Sequence, residues 1–196
     1  MILQKFSDAE SSIYLQNMIN DTNTNLEGLI STSTSPNRAN YRQIKKGGNI
    51  ALAYFHDVKL NAIRRFIAHS SFNDKQYFHL IQNIHGPTYT ACFRPSLVNR
   101  TNQFQTSIYN SRCDQLSTAW QRWDDSESKI LEEIYHANTS YTVQNNEIFL
   151  WTKLYPCPSC RCVIENFEKA LGYTVKVYYN NRDLNNPCDK GDGCSV

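Results

Sequence analysis

No stretch of this 196-residue chain approaches eighteen consecutive apolar residues, so no segment reads as a membrane span. The first eleven residues also lack a basic region followed by an apolar one, so no cleavable signal peptide is legible there. Any passage across a membrane then depends on some other device. An excess of either charge is missing too. Twenty Lys and Arg stand against eighteen Asp and Glu, a formal net charge of +2. That balance argues for no polyanionic partner by itself, although it leaves room for a local basic groove. A disulfide framework is the remaining absence. The seven cysteines (Cys92, Cys113, Cys157, Cys160, Cys162, Cys188 and Cys194) are an odd count gathered toward one side of the chain. Such a set predicts a reducing compartment and one metal or redox site. At this length a core forms without covalent staples, and one domain is expected.

What is present is a series of strand- and helix-length patterns, clearest in the second half. Residues 1–47 are rich in Asn, Thr and Ser and include Pro36. They read as a flexible or loosely packed N-terminal arm, with a short helix over residues 6–18 at most. Gly47-Gly48 marks the change to residues 48–196, the expected folded domain. The apolar runs 49–55 and 62–69 predict an antiparallel hairpin. Residues 73–120 read as an irregular insertion with some helical turns, in which His79, His85, Cys92 and Cys113 match no metal-ligand spacing. Asp124-Asp125-Ser126-Glu127 precedes Ile130, Leu131, Ile134 and Tyr135. Acidic residues ahead of a helical period mark a helix start. Residues 148–154 are apolar almost throughout and predict a central strand. A helix then opens at Pro158 and closes at Gly172, with Cys160, Val163, Ile164, Phe167 and Leu171 on one face. Residues 173–179 alternate as a strand, so the unit is strand–helix–strand with parallel strands. The tail from about residue 180 is polar. The expected class is α/β, a central mixed sheet flanked by helices.

The stretch Tyr155-Pro156-Cys157-Pro158-Ser159-Cys160 places two thiols where a strand ends and a helix begins. Zinc favours thiolate ligands, and a helix N-terminus favours the thiolate form. Two cysteines alone do not complete a hydrolytic zinc site. It also needs a third protein ligand, an open position for water and a carboxylate to move protons. Asp125 can serve as the third ligand, and Glu127, in the first turn of the neighbouring helix, as the proton carrier.

Asp125-x-Glu127, a gap of about thirty residues, and Pro156-Cys157-x-x-Cys160 resemble the zinc-dependent nucleobase deaminase signature H-x-E…P-C-x-x-C. More narrowly, the chain resembles the deaminase domains of bacterial polymorphic toxins over about residues 47–180. Gly48-Asn49-Ile50-Ala51-Leu52-Ala53, Ala68-His69-Ser70-Ser71, Asp125-Ser126-Glu127-Ser128-Lys129-Ile130-Leu131 and Tyr155-Pro156-Cys157 carry the likeness. Aspartate stands at position 125, where histidine is usual. Asp124 and His69 are the alternative ligands.

The resemblance implies a cytidine deaminase-like three-layer α/β/α fold and a Zn2+ held by Asp125, Cys157 and Cys160. Glu127 is then the catalytic acid–base in converting cytosine to uracil. It further implies DNA as substrate, single-stranded in preference because unpairing then costs nothing, and a secreted bacterial effector acting in the cytoplasm of a target cell. A cognate immunity protein is the implied partner. Substrate contacts are expected from Ser70, Ser71, Trp123, Lys153, Tyr155 and Pro156, with Trp120 and Arg122 as a stacking platform and Arg64, Arg65 and Arg161 as phosphate contacts. RNA, a free nucleotide or adenine remain alternative substrates. Two readings outside this family also stand at this point. One is a thioredoxin- or glutaredoxin-like redox motif at Cys157-Pro158-Ser159-Cys160. The other is a non-catalytic zinc module closed by Cys157, Cys160, Cys188 and Cys194.

Overall fold

The computed structural model describes residues 1–6, 13–101, 103–104, 106–109, 115–121 and 124–181, with backbone only between 106 and 121. In chain order the elements are β1 (Ile2–Lys5), α1 (Ile13–Thr32), α2 (Asn37–Lys46), β2 (Ile50–Asp57), β3 (Ala62–His69), α3 (Phe78–His85), β4 (Thr90–Ala91), β5 (Thr106–Tyr109), β6 (Gln115–Gln121), α4 (Ser126–His136), β7 (Glu147–Leu154), α5 (Pro158–Leu171) and β8 (Thr174–Asn181). Short 3-10 turns lie between several of them.

Six strands form one sheet in the order β1-β8-β7-β2-β3-β4. The β2–β3 hairpin is antiparallel, β2 pairs antiparallel with β7, and β7 pairs parallel with β8. The sheet is therefore mixed, and the expected parallel unit is β7–α5–β8. A strand buried on both faces needs apolar residues at every position rather than every second one. β2 shows this. Ala51, Ala53 and Phe55 join the core under α4 and α5, while Ile50, Leu52 and Tyr54 join the core under α1, α2 and α3. Helices on both faces of a mixed sheet make three layers, a cytidine deaminase-like α/β/α arrangement. Among the described residues no helix is long and apolar enough to cross a membrane.

Three expectations need correction. The N-terminal arm is not loosely packed through residues 13–46. Leu15, Met18, Ile19 and Leu26 of α1 and Tyr41 and Ile44 of α2 are buried in the second core. Few apolar side chains suffice here because they recur on one helical face, and the Asn and Thr residues between them face outward. Residues 73–120 hold more regular structure than an irregular insertion. They contain α3, β4 and the separate β5–β6 hairpin. In that stretch Cys92 is packed and gives its thiol to Thr90 O, and His85 meets Thr22 Oγ1. The expectation of thiols kept reduced fails at Cys162, which is disulfide-bonded. It lies two residues beyond Cys160 on α5, so the helical period turns it to another face. Cys92, Cys157 and Cys160 are free, and Cys188 and Cys194 lie outside the described residues.

Candidate active site

The helices α4 and α5 pack against each other and open at the same end of the sheet. Each begins with a side chain that bears on the chemistry. Asp125 is the N-cap residue of α4 in extended conformation, and Cys157 is that of α5. Their carbonyls accept the first helical bonds, Lys129 N–H to Asp125 O at 3.1 Å and Arg161 N–H to Cys157 O at 3.0 Å. Pro158 follows at the first helical position, where a missing N–H costs nothing. Cys160 sits within the first turn, so its thiol points back toward Cys157.

The donor atoms of Asp125, Cys157 and Cys160 all lie within 4.8 Å of one another. Cys160 Sγ is 3.3 Å from Cys157 Sγ and 3.3 Å from Asp125 Oδ2. The hydrogen bond shared with Cys157, which favours a protonated Cys160, together with burial and the Asp125 charge, pushes the Cys160 thiol well above its usual range. Three crowded groups that repel one another when ionised fit a dication that relieves the repulsion. One carboxylate and two thiolates are within zinc's preferences, and three protein ligands leave a fourth position for water.

Glu127 lies in the first turn of α4 and is only 2% exposed. Its Oε1 accepts from Asn49 Nδ2 at 3.0 Å and from Thr152 Oγ1 at 2.9 Å, and its Oε2 accepts from Ser126 Oγ at 2.9 Å. Burial raises its pKa and the neighbouring Asp125 charge adds to this, while these hydrogen bonds oppose them. A carboxyl whose proton affinity is raised in this way, held in place by three hydrogen bonds, is suited to carrying a proton between water and a substrate.

Asn49 is the hub that sequence reasoning missed. Its amide also donates to Thr152 Oγ1 at 2.7 Å, and its Oδ1 accepts from Leu154 N–H at 3.1 Å. It thus ties the start of β2 to the end of β7. In the sequence it stands only as one member of the apolar run 49–55 and of the stretch Gly48-Asn49-Ile50-Ala51-Leu52-Ala53 that carries the likeness, with no role of its own. Ser126 and Thr152 were missed for a similar reason, since neither residue type advertises burial.

The expected substrate residues fall into two groups. Ser70 grips the same turn, with its Oγ accepting from Asn49 N–H at 2.8 Å and its own N–H donating to Asn49 O at 2.9 Å. Ser71 is exposed beside it. At and just beyond the end of β7, Lys153 reaches Lys45 O at 3.2 Å, Pro156 is buried, and Tyr155 packs edge-on against Tyr179. Trp123 and Arg122 lie outside the described residues, as does the side chain of Trp120. Of the phosphate candidates, Arg161 stacks on Tyr155 with 5.5 Å to the ring centroid. Arg64 pairs with Asp57 at 3.1 Å, at the other end of β2 from Asn49, so it is no neighbour of Glu127. Arg65 gives a hydrogen bond to Tyr14 OH among α1 side chains.

Neither alternative ligand joins the cluster. Asp124 faces Arg94 at 3.6 Å. His69 is buried with both ring nitrogens engaged. Ser71 N–H donates to Nδ1 at 3.2 Å, so Nε2 carries the ring proton and donates to Gly47 O at 3.0 Å. Burial pushes His69 down from 6.5 to about 4, against the hydrogen bond to Gly47. The unfolded chain therefore binds a proton at this residue between pH 6.5 and 4 that the folded chain refuses. Stability is full above pH 6.5 and falls with pH across that window, by about 3 kcal/mol between pH 7 and pH 4. Urea unfolding of the wild type and of His69→Gln at both pH values reads this term as the difference between their slopes. Equal slopes contradict it.

Residues 37–181 match the Toxin-deaminase family, described as the BURPS668_1122 family of deaminases. No curated protein and no solved structure matches the chain. The matched span runs from the start of α2 to the end of β8 and takes in Asn49, Asp125, Glu127, Cys157 and Cys160. It covers well over half of the sequence, and the three-layer fold agrees with it. The chain belongs to the family of toxin deaminases.

Proposed function

We propose that this deaminase toxin domain converts cytosine to uracil in DNA, with Zn2+ held by Asp125, Cys157 and Cys160. The observation that carries the reading is the convergence of those three donor atoms within 4.8 Å at two helix starts, beside the buried Glu127. Zinc, when bound, lowers the pKa of a water molecule at its open position. Glu127 accepts the proton of the attacking water. It passes that proton to the pyrimidine ring, then takes the remaining proton of the added hydroxyl and delivers it to the departing amino group, so that cytosine and water give uracil and ammonia. Asn49, Thr152 and Ser126 hold the carboxylate in place for both transfers. Ser70 and Ser71 on one side, and Lys153, Tyr155 and Pro156 on the other, border the opening through which the base enters. Trp123 is assigned the role of a stacking partner for a base on its residue type. Single-stranded DNA is preferred, since a base already unpaired is delivered without the cost of opening a duplex. The natural setting is a secreted bacterial effector acting in the cytoplasm of a target cell, and a cognate immunity protein is its partner in the producing cell.

Labelled single- and double-stranded oligonucleotides incubated with the purified protein, followed by uracil excision, test this reading. Strand breaks at cytosine positions are expected, faster on single strands. Metal analysis should find one zinc per chain, lost in Cys160→Ala and kept when Cys188 and Cys194 are both replaced. A protein that binds zinc and leaves every cytosine intact refutes the DNA reading. Parallel reactions with RNA, nucleotides and adenine-containing strands then identify the substrate.

A further inference from the structure

Lys129 is 0% exposed, and the chemistry proposed above makes no use of it. Burial pushes its pKa down to about 8, against the pull of Asp124 and Asp125. A buried ammonium is tolerated only where acceptors surround it. Here they come from one short stretch of chain, the turn after β3. Lys129 Nζ donates to His69 O at 2.7 Å, to Phe72 O at 3.4 Å, and to Asn73 Oδ1. The same turn holds the residues before β2, through the paired hydrogen bonds of Ser70 with Asn49 and that of His69 Nε2–H with Gly47 O. Asn49 in turn grips Glu127. The links run from Glu127 to Asn49, to Ser70, to its neighbour His69, to Lys129, and so back to α4 two residues beyond Glu127. A closed ring of hydrogen bonds starts and ends on one helical turn.

We propose that Lys129 is a positioning residue for the deamination step, setting through residues 69–73 the place of Asn49 and hence the aim of the Glu127 carboxylate. This rests on Glu127 being the proton carrier. The geometry gives the inference a specific form. Glu127 and Lys129 leave α4 about 200° apart, so they grip different partners. The ring around them fixes those partners relative to one another and not merely to the helix. Loosening it at Lys129 leaves the Asp125–Cys157–Cys160 cluster in place, because none of the ring's links passes through it. Ser70 and Ser71 share the loosened turn, so substrate binding weakens somewhat, but proton transfer, which depends on the aim of Glu127, loses more.

Lys129→Met keeps an unbranched apolar stem as far as the fourth side-chain atom and removes the donor. Its kcat should fall about 10- to 100-fold, as a small misplacement of a reacting group does. Zinc content should stay within about twofold, and KM should rise by clearly less than kcat falls. The double variant Lys129→Met/Asn49→Ala should lose no more kcat than Asn49→Ala alone, since both cut one ring. Losses that multiply overturn the proposal, as does an unchanged kcat or a rise in KM that accounts for the whole effect. Amide hydrogen exchange gives a reading that needs no substrate. The Asn49 N–H, bonded to Ser70 Oγ, should lose protection in Lys129→Met, and retained protection there refutes the ring. A wild type that deaminates nothing refutes the proposed function, while the exchange measurement still decides on the ring. Should Lys129→Met fail to fold, Asn73→Ala removes one of its three acceptors from a half-buried position and is expected to show the same pattern at smaller size.

Discussion

Glu127→Gln lowers the rate of uracil formation by about 10³-fold and leaves zinc and fold in place. The rate factor is that of a lost general acid–base. The selectivity of the effect follows from the surroundings. The amide oxygen of Gln can take over the position of Oε1 and accept from Asn49 and Thr152. The amide nitrogen then faces Ser126 Oγ, whose hydroxyl turns from donor to acceptor. Each of the three contacts survives, and a buried carboxylate whose charge was disfavoured is replaced by a neutral group. The variant should therefore melt within a few degrees of the wild type, or above it. Thermal unfolding and metal analysis alongside the rate assay check this. Activity within tenfold of the wild type removes Glu127 from the chemistry.

Gly48→Ala destabilises the protein by about 3 kcal/mol and lowers Tm by about 6–12 °C. Gly48 has φ of +69°, a region that other residues enter at a cost. Space is tighter than conformation. A Cβ there would stand 2.5 Å from Ser71 Oγ and 2.7 Å from His69 Cε1. The Ser71 hydroxyl can rotate away. The His69 ring cannot, because Gly47 O and Ser71 N–H hold it at both nitrogens. Either the ring or residues 47–49 must shift, and the second choice moves Asn49 away from Glu127. Activity should thus fall with stability. Gly48→Asn separates the two causes. Asn accepts positive φ, so a variant as impaired as Gly48→Ala shows that the crowded Cβ decides, while a near-normal Gly48→Asn shows that φ does.

The fold was most legible where burial dictates residue type at every position. β2 and β3 follow the expected runs, β7 covers the predicted central strand, and α5 runs from Pro158 to a left-handed Gly172 as its punctuation implies. It was least legible where a few apolar residues are diluted among polar ones. α1 shows Ile13 80% exposed and Leu15 fully buried two residues on, within a segment whose Asn and Thr content reads as linker. The likeness to deaminases pointed to Asp125, Glu127, Cys157 and Cys160, and the folded chain brings the three proposed ligands together. What supports them was not readable, because Asn49, Thr152 and Lys129 meet their partners only through long-range contacts across β2, β7 and the turn after β3, and nothing in the type of Ser126 marks it as buried beside Glu127. A buried lysine in particular contradicts every expectation drawn from its type, and only the ring of acceptors around it explains its place.

The 20 residues of α1 precede the span that the family shares, yet Leu15, Met18 and Leu26 seal the sheet face formed by Leu52, Ile67 and Trp151. The part of the chain recognisable by kinship is thus smaller than the part that folds. A shortened version beginning at residue 37 would keep every group near Glu127 and expose an apolar surface on the opposite side, where water had been excluded. Such a piece would be lost to aggregation before its chemistry was ever measured, and an assay of it would report on solubility alone.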